Sequence, residues 1–292
     1  MDKAFLSQGY TIFQKLIDQE TLKTFKTSIE HQIESCAKGL GCTKAKYLSA
    51  VSRWAAPSPV TSGIDQKWIN SIATRLSEWA NEEVLLNKMN VICKNAYSTG
   101  SVPLHQDISY SPHAPYQFTT WIALDDVPEN SGPLSVIPGS QLEGIFPAVD
   151  FWSPYYKPPK RETLSIPLEK GDGICFDSRI WHGSPKSRAG TSRYAWVLRW
   201  TTKNWKLDEA IPLPEPLPFG MWTCGDEARQ RLSEGIDNPP EDLADLIDLC
   251  PQDPVLEKIK ILHLASARHN GGDATGTVYK ELWNQEVTPC TH

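Results

Sequence analysis

The sequence predicts a mainly β fold with flanking helices, built around a two-sheet jelly roll. Three observations lead there. Short runs rich in Val, Ile, Leu, Thr and aromatic residues recur between residues 84 and 203, separated by turn signals. The chain before them carries two apolar stripes at helical spacing. The chain after them changes composition, with four prolines in the nine residues 211–219. Together these divide a single expected domain of 292 residues into a helical N-terminal support (1–83), a jelly-roll core (84–205) and a C-terminal extension (206–292) that is first proline-rich and then helical.

Asp18 is placed to cap a helix carrying Leu22, Phe25, Ile29, Ile33 and Ala37 on one face. A second helix is expected to start at Asp65, with Trp68, Ile69, Ile72, Leu76 and Trp79 as its apolar stripe. Residues 84–97 read as strand, broken by the Ser98-Thr99-Gly100-Ser101 stretch, after which His105 begins a new extended segment. Residues 117–127 form another strong strand. Lys170-Gly171-Asp172-Gly173 is a hairpin-type turn feeding a strand at 174–177, and Arg193 opens a further one over 193–200. In the extension, residues 241–268 read as helix, interrupted at Pro251 and Pro254.

Within this frame stands His105-Gln106-Asp107, with His182 and then Arg193 downstream. Two imidazoles and one carboxylate are the set that holds ferrous iron on one face and leaves the opposite positions open. With 7 His and 17 Asp in the chain, chance alone supplies about 0.4 His-x-Asp triplets. The triplet therefore gains its weight from context: both histidines fall near strand ends, where a barrel mouth would bring them together. Arg193 lies where a guanidinium fork would clamp a dicarboxylate. Side chains at 193, 195, 197 and 199 share a face of an extended strand, so Arg199 is an alternative, and Arg188 in the preceding loop is another.

The order of LHQD, TTWIALDDV, ENSGPLSVIPGSQ and KGDGICFDSRIWHGS with SRYAW resembles the phytanoyl-CoA dioxygenase-type branch of the Fe(II)/2-oxoglutarate oxygenases, over roughly residues 88–202. The resemblance implies a double-stranded β-helix (jelly-roll, cupin-like) core. It implies that His105, Asp107 and His182 hold Fe(II), that Arg193 pairs with the distal carboxylate of the co-substrate 2-oxoglutarate, and that Ser184 and Trp121 line that pocket. It further implies a dioxygenase that oxidises a C–H bond while 2-oxoglutarate becomes succinate and CO2. Halogenating relatives replace the carboxylate ligand by a small residue, so Asp107 points to hydroxylation or a related oxidation over halogenation. Two departures are visible: Gln141 stands where the family often has His, and Pro185-Lys186-Ser187 where it often has Asn. The other readings are a 2-oxoglutarate-independent cupin-like metalloenzyme, which a dispensable Arg193 would favour, and a non-catalytic binding protein that kept the fold.

The net charge of −6 argues against nucleic-acid binding. No apolar run reaches membrane-spanning length, and the N-terminus lacks the pattern of a signal peptide. Seven cysteines without CxxC spacing read as reduced thiols, with Cys175 as core, so the expected place is cytoplasmic. The expected partners are a small organic metabolite and O2. For its pocket the sequence offers Tyr110, Tyr116, Phe151 and Trp152, the last two in the aromatic segment 142–162, with Lys157, Lys160 and Arg161 nearby for an anionic group. His113, close after the ligand pair, is expected in a loop roofing the site.

Overall fold

The computed structural model describes residues 1–56, 58–95, 102–110, 116–144, 160–188, 190 and 192–205. His113, most of the aromatic segment and all of the C-terminal extension lie outside the described residues. The N-terminal part holds α1 (Lys3–Gln8), β1 (Tyr10–Phe13), α2 (Gln19–Gly39), α3 (Lys44–Ala50), β2 (Arg53–Ala55) and α4 (Gln66–Ala80). Then follow β3 (Val84–Lys94), β4 (Val102–His105), β5 (Phe118–Ala123), β6 (Leu134–Val136), β7 (Leu164–Ile166), β8 (Gly173–Asp177), β9 (His182–Ser184) and β10 (Arg193–Thr202).

Local chemistry explains the element boundaries. The Asp18 carboxylate accepts the Thr21 N–H at 2.8 Å, and the Asp65 carboxylate accepts the Lys67 N–H at 2.9 Å, so both helices start where an orphan donor finds an oxygen. The α4 helix ends on Asn81 in the left-handed region (φ 56°), a conformation asparagine tolerates. Gly171, in the turn before β8, has φ 93°, which a side chain would strain. The five residues expected to form the α2 stripe are all buried.

The strands form two antiparallel sheets, one of six in the order β1-β8-β5-β10-β3-β2 and one of four in the order β4-β9-β6-β7. This is the expected jelly roll. All six residues of β5 are buried, because the large sheet is covered on both faces. On its outer face, helices α2 and α4 pack onto Trp196, Leu198 and Trp200, with Phe25 edge-on to Trp196 at 4.8 Å between ring centres. On its inner face Trp121, Ile174, Phe176, Ala195 and Val197 meet Leu134, Val136 and Ile166 of the small sheet. Cys175 is fully buried and points outward among the helices, and burial pushes its thiol well above the ordinary range.

Two features differ from the sequence reading. Residues 1–83 are not only helical: β1 pairs with β8 and β2 with β3, so they supply both edges of the large sheet. Strands of four and three residues are too short to carry an alternating signal. His105 also ends a strand and does not begin one. It lies opposite His182 in the β4–β9 ladder.

Candidate metal centre

Residues distant in sequence meet at one end of the barrel through this ladder. The pairing of His105 with His182 sets the two imidazole rings 4.3 Å apart, centre to centre. The chain then turns through a single 3-10 turn, Asp107–Tyr110, which swings the Asp107 carboxylate back between them. Asp107 Oδ1 lies 3.7 Å from Nε2 of His105 and 3.7 Å from Nε2 of His182. One ligand atom from each residue lies within 4.8 Å of the others, the only such group of three found among the described residues.

The surroundings prepare these groups for a cation. Nδ1 of His182 is 3.1 Å from the Ile180 carbonyl, a donor geometry that directs Nε2 at Asp107. Burial, then the neighbouring His105, lowers the His182 pKa to about 4, so its ring is neutral at pH 7 and its lone pair is available. Phe176 packs against that ring at 4.5 Å. Burial pushes the Asp107 carboxyl upward, but the Arg199 guanidinium and the two histidines overcome this and hold it well below the usual carboxylate range. The Thr119 hydroxyl donates to Asp107 Oδ2 at 3.0 Å, which leaves Oδ1 as the oxygen facing the imidazoles.

Arg193 and Arg199 occupy different parts of the interior. Arg193 is buried and lies over the Trp121 ring at 5.0 Å. Its Nε donates to the Ser131 carbonyl at 3.4 Å and its Nη2 to the Gly132 carbonyl. The Ser184 hydroxyl donates to the same Gly132 carbonyl at 3.2 Å, so Ser184 and Arg193 meet at one acceptor, with Trp121 against the guanidinium. Nη1 of Arg193 is buried and has no hydrogen-bond partner among the described residues. Arg199 instead lies beside Asp107, its Nη2 3.7 Å from Oδ1. Arg188 is exposed in its loop.

Sequence reasoning missed Lys94. It stands opposite Arg193 in the β3–β10 ladder, is buried, and donates to the carbonyls of Ser184 (3.1 Å) and Pro185. Burial and the facing guanidinium pull its ammonium down to about 7. A lysine at the end of an otherwise apolar run, on the face shared with Asn90 and Ile92, was the available signal. Thr119 was missed as well, hidden in a strand whose every residue is buried.

Tyr116, one of the residues expected at the substrate pocket, is buried beside the centre. Its hydroxyl donates to the Asp107 carbonyl at 3.2 Å and accepts from Arg199 Nε at 2.8 Å, which ties it into the frame of the centre. The backbone of Tyr110 ends the 3-10 turn after Asp107, but its side chain, like Phe151, Trp152 and Lys157, lies outside the described residues. Arg161 pairs with Glu143. Of the two departures from the family pattern, Gln141 has a side-chain contact of its own: its Nε2 donates to the Leu6 carbonyl at 3.3 Å. No helix among the described residues is long and apolar enough to cross a membrane.

Known proteins resemble this chain in sequence and in fold. A model of the phytanoyl-CoA dioxygenase (PhyH) family matches residues 5–195. Peroxisomal phytanoyl-CoA dioxygenase of Rattus norvegicus is 22% identical over 220 residues, 66% of this chain and 65% of that protein. Phytanoyl-CoA dioxygenase domain-containing protein 1 of Danio rerio is 26% identical over 153 residues, 45% of this chain and 52% of that one. The chain thus spans between half and two-thirds of these curated relatives. Among solved structures, the epimerase SnoN in complex with Fe3+, alpha ketoglutarate and nogalamycin RO shares the fold at a TM-score of 0.52 and 18% identity, covering 68% of this chain and 81% of that one. With a family match running from the first helix into β10 across this fold, the chain belongs to the phytanoyl-CoA dioxygenase family.

Proposed function

We propose that this chain is an Fe(II)- and 2-oxoglutarate-dependent dioxygenase that hydroxylates a C–H bond of a small organic metabolite, releasing succinate and CO2. The observation that carries the reading is the convergence of His105, Asp107 and His182 within 4.8 Å at a barrel end whose interior also holds a buried arginine, Nη1 of which has no hydrogen-bond partner among the described residues. Both groups fit the residues present. Two imidazoles and one carboxylate match the facial donor set of non-haem iron. The orphaned Nη1 of Arg193 matches a carboxylate oxygen.

In this reading His105 and His182 each offer Nε2 and Asp107 offers Oδ1, while Thr119 occupies Oδ2 and keeps the carboxylate from rotating. Arg193 receives the distal carboxylate of 2-oxoglutarate, with Ser184 at the same Gly132 acceptor and Trp121 against the guanidinium. Phe176, packed at a tilt against His182, covers one side of that ring. When bound, iron with its keto-acid co-substrate supplies the oxidising chemistry, and the protein's part is binding, orientation and exclusion. The carboxylate of Asp107 fills the place that a halide would need, which supports oxidation over halogenation.

Iron binding tests the reading. Anaerobic titration should give one Fe(II) per chain, and Asp107→Ala should lose that binding while the Tm of the metal-free protein remains measurable. An Asp107→Ala variant that binds Fe(II) as tightly as the wild type would defeat the assignment.

A further inference from the structure

Arg199 is a fixed charge at the edge of the centre that the reaction itself does not call for. It is buried, and each arm of its guanidinium has a separate target. Nε donates to the Tyr116 hydroxyl at 2.8 Å, Nη1 donates to Asn90 Oδ1 at 2.8 Å, and Nη2 lies 3.7 Å from Asp107 Oδ1. The Tyr116 hydroxyl passes the link on to the Asp107 carbonyl. Thr119, which holds Asp107 Oδ2, is the cross-strand partner of Arg199 in the β5–β10 ladder. Oδ2 and the backbone carbonyl of Asp107 are therefore hydrogen-bonded, and Oδ1 faces the guanidinium as an ion pair.

We propose that Arg199 is a positioning residue of the metal centre: with Tyr116 and Asn90 it fixes Asp107, and its charge biases bound iron toward the ferrous state. The inference rests on the iron reading above. A guanidinium keeps its proton in proteins, so its charge persists after a metal has bound. Coordinated imidazoles are neutral and the carboxylate carries one negative charge. Arg199 cancels that charge, so the metal keeps nearly its full ionic charge within a buried site. Repulsion from a fixed cation grows with the charge on the metal, so it penalises Fe(III) more than Fe(II). The same uncompensated charge favours a dianionic keto acid over a monoanionic one. An arginine that only neutralised a buried aspartate would have no such effect on oxidation state.

The midpoint potential of the iron-loaded full chain, measured anaerobically without keto acid or substrate, separates the two roles. Arg199→Gln should shift the Fe(III)/Fe(II) preference toward ferric by about tenfold or more, a fall of about 59 mV for a one-electron couple. Arg199→Lys, which keeps the charge, should hold most of the wild-type potential. Asn90→Asp leaves the arginine in place but pairs it with a second carboxylate, so its potential should also fall, and this variant carries the test if Arg199→Gln does not fold. Wild-type potentials in both Arg199→Gln and Asn90→Asp would overturn the proposal while leaving the iron reading standing. A wild-type chain that takes up no iron would overturn both.

Discussion

Arg193 and Arg199 stand six residues apart on one face of one strand, yet burial and partners separate them. Arg193 is lodged among carbonyls with one nitrogen unpartnered among the described residues, and Arg199 is committed to Tyr116, Asn90 and Asp107. If Arg193 clamps 2-oxoglutarate, Arg193→Ala should weaken its binding by about 10- to 150-fold, the equivalent of roughly 1.5–3 kcal/mol for a charge-assisted hydrogen bond. Calorimetric titration of the keto acid reads this directly, and unchanged affinity would remove Arg193 from the pocket. Lys94 gives a second residue-level test. Its folded pKa is about 7 against an ordinary 10.5, so between those values the unfolded chain holds a proton that the folded chain has released. Stability must then rise with pH across that window. The Tm of the wild type relative to Lys94→Met should increase from pH 7 toward pH 10, and a flat difference would show that the ammonium is not depressed. The triad was legible in the sequence because strand-like segments flank its histidines and the order of the surrounding motifs is distinctive. Lys94 was not, since its contacts with Ser184 and Pro185 span about ninety positions and only the fold creates them.

At the scale of elements, boundaries with a local cause were legible and pairings without one were not. The starts of α2 and α4 could be read because a capping carboxylate acts within three residues. Asp18→Ala should cost about 1 kcal/mol, within a range of roughly 0.5–2 for a lost N-cap. A lower denaturant midpoint with unchanged Fe(II) binding is the expected result, since α2 packs on the outer face of the large sheet, away from the centre. No loss of stability would mean that the cap contributes nothing. The short edge strands β1 and β2 escaped the sequence reading because edge pairing depends on a partner already in place. The register of β4 on β9 could not be read either, and that register is what sets His105 against His182.

Across the whole molecule, the large sheet serves two interiors. Its outer face joins the helices in one apolar cluster, and its inner face joins the small sheet in another, at whose end His105, Asp107 and His182 collect. The jelly roll was legible from the succession of short strands and turns, whereas the division of labour between the faces was not, because β10 is buried almost throughout and only its packing sends Trp196, Leu198 and Trp200 to one cluster and Ala195 and Val197 to the other. A barrel that gathers two imidazoles and a carboxylate at one end suits a reaction in which the protein orients and a cofactor oxidises. The most direct test is anaerobic titration of 2-oxoglutarate into the Fe(II)-loaded protein, followed in visible light. The account predicts a weak charge-transfer band from the chelated keto acid that appears in the wild type and is absent in His182→Ala. Iron bound to the wild type with no band on saturation with 2-oxoglutarate would contradict it.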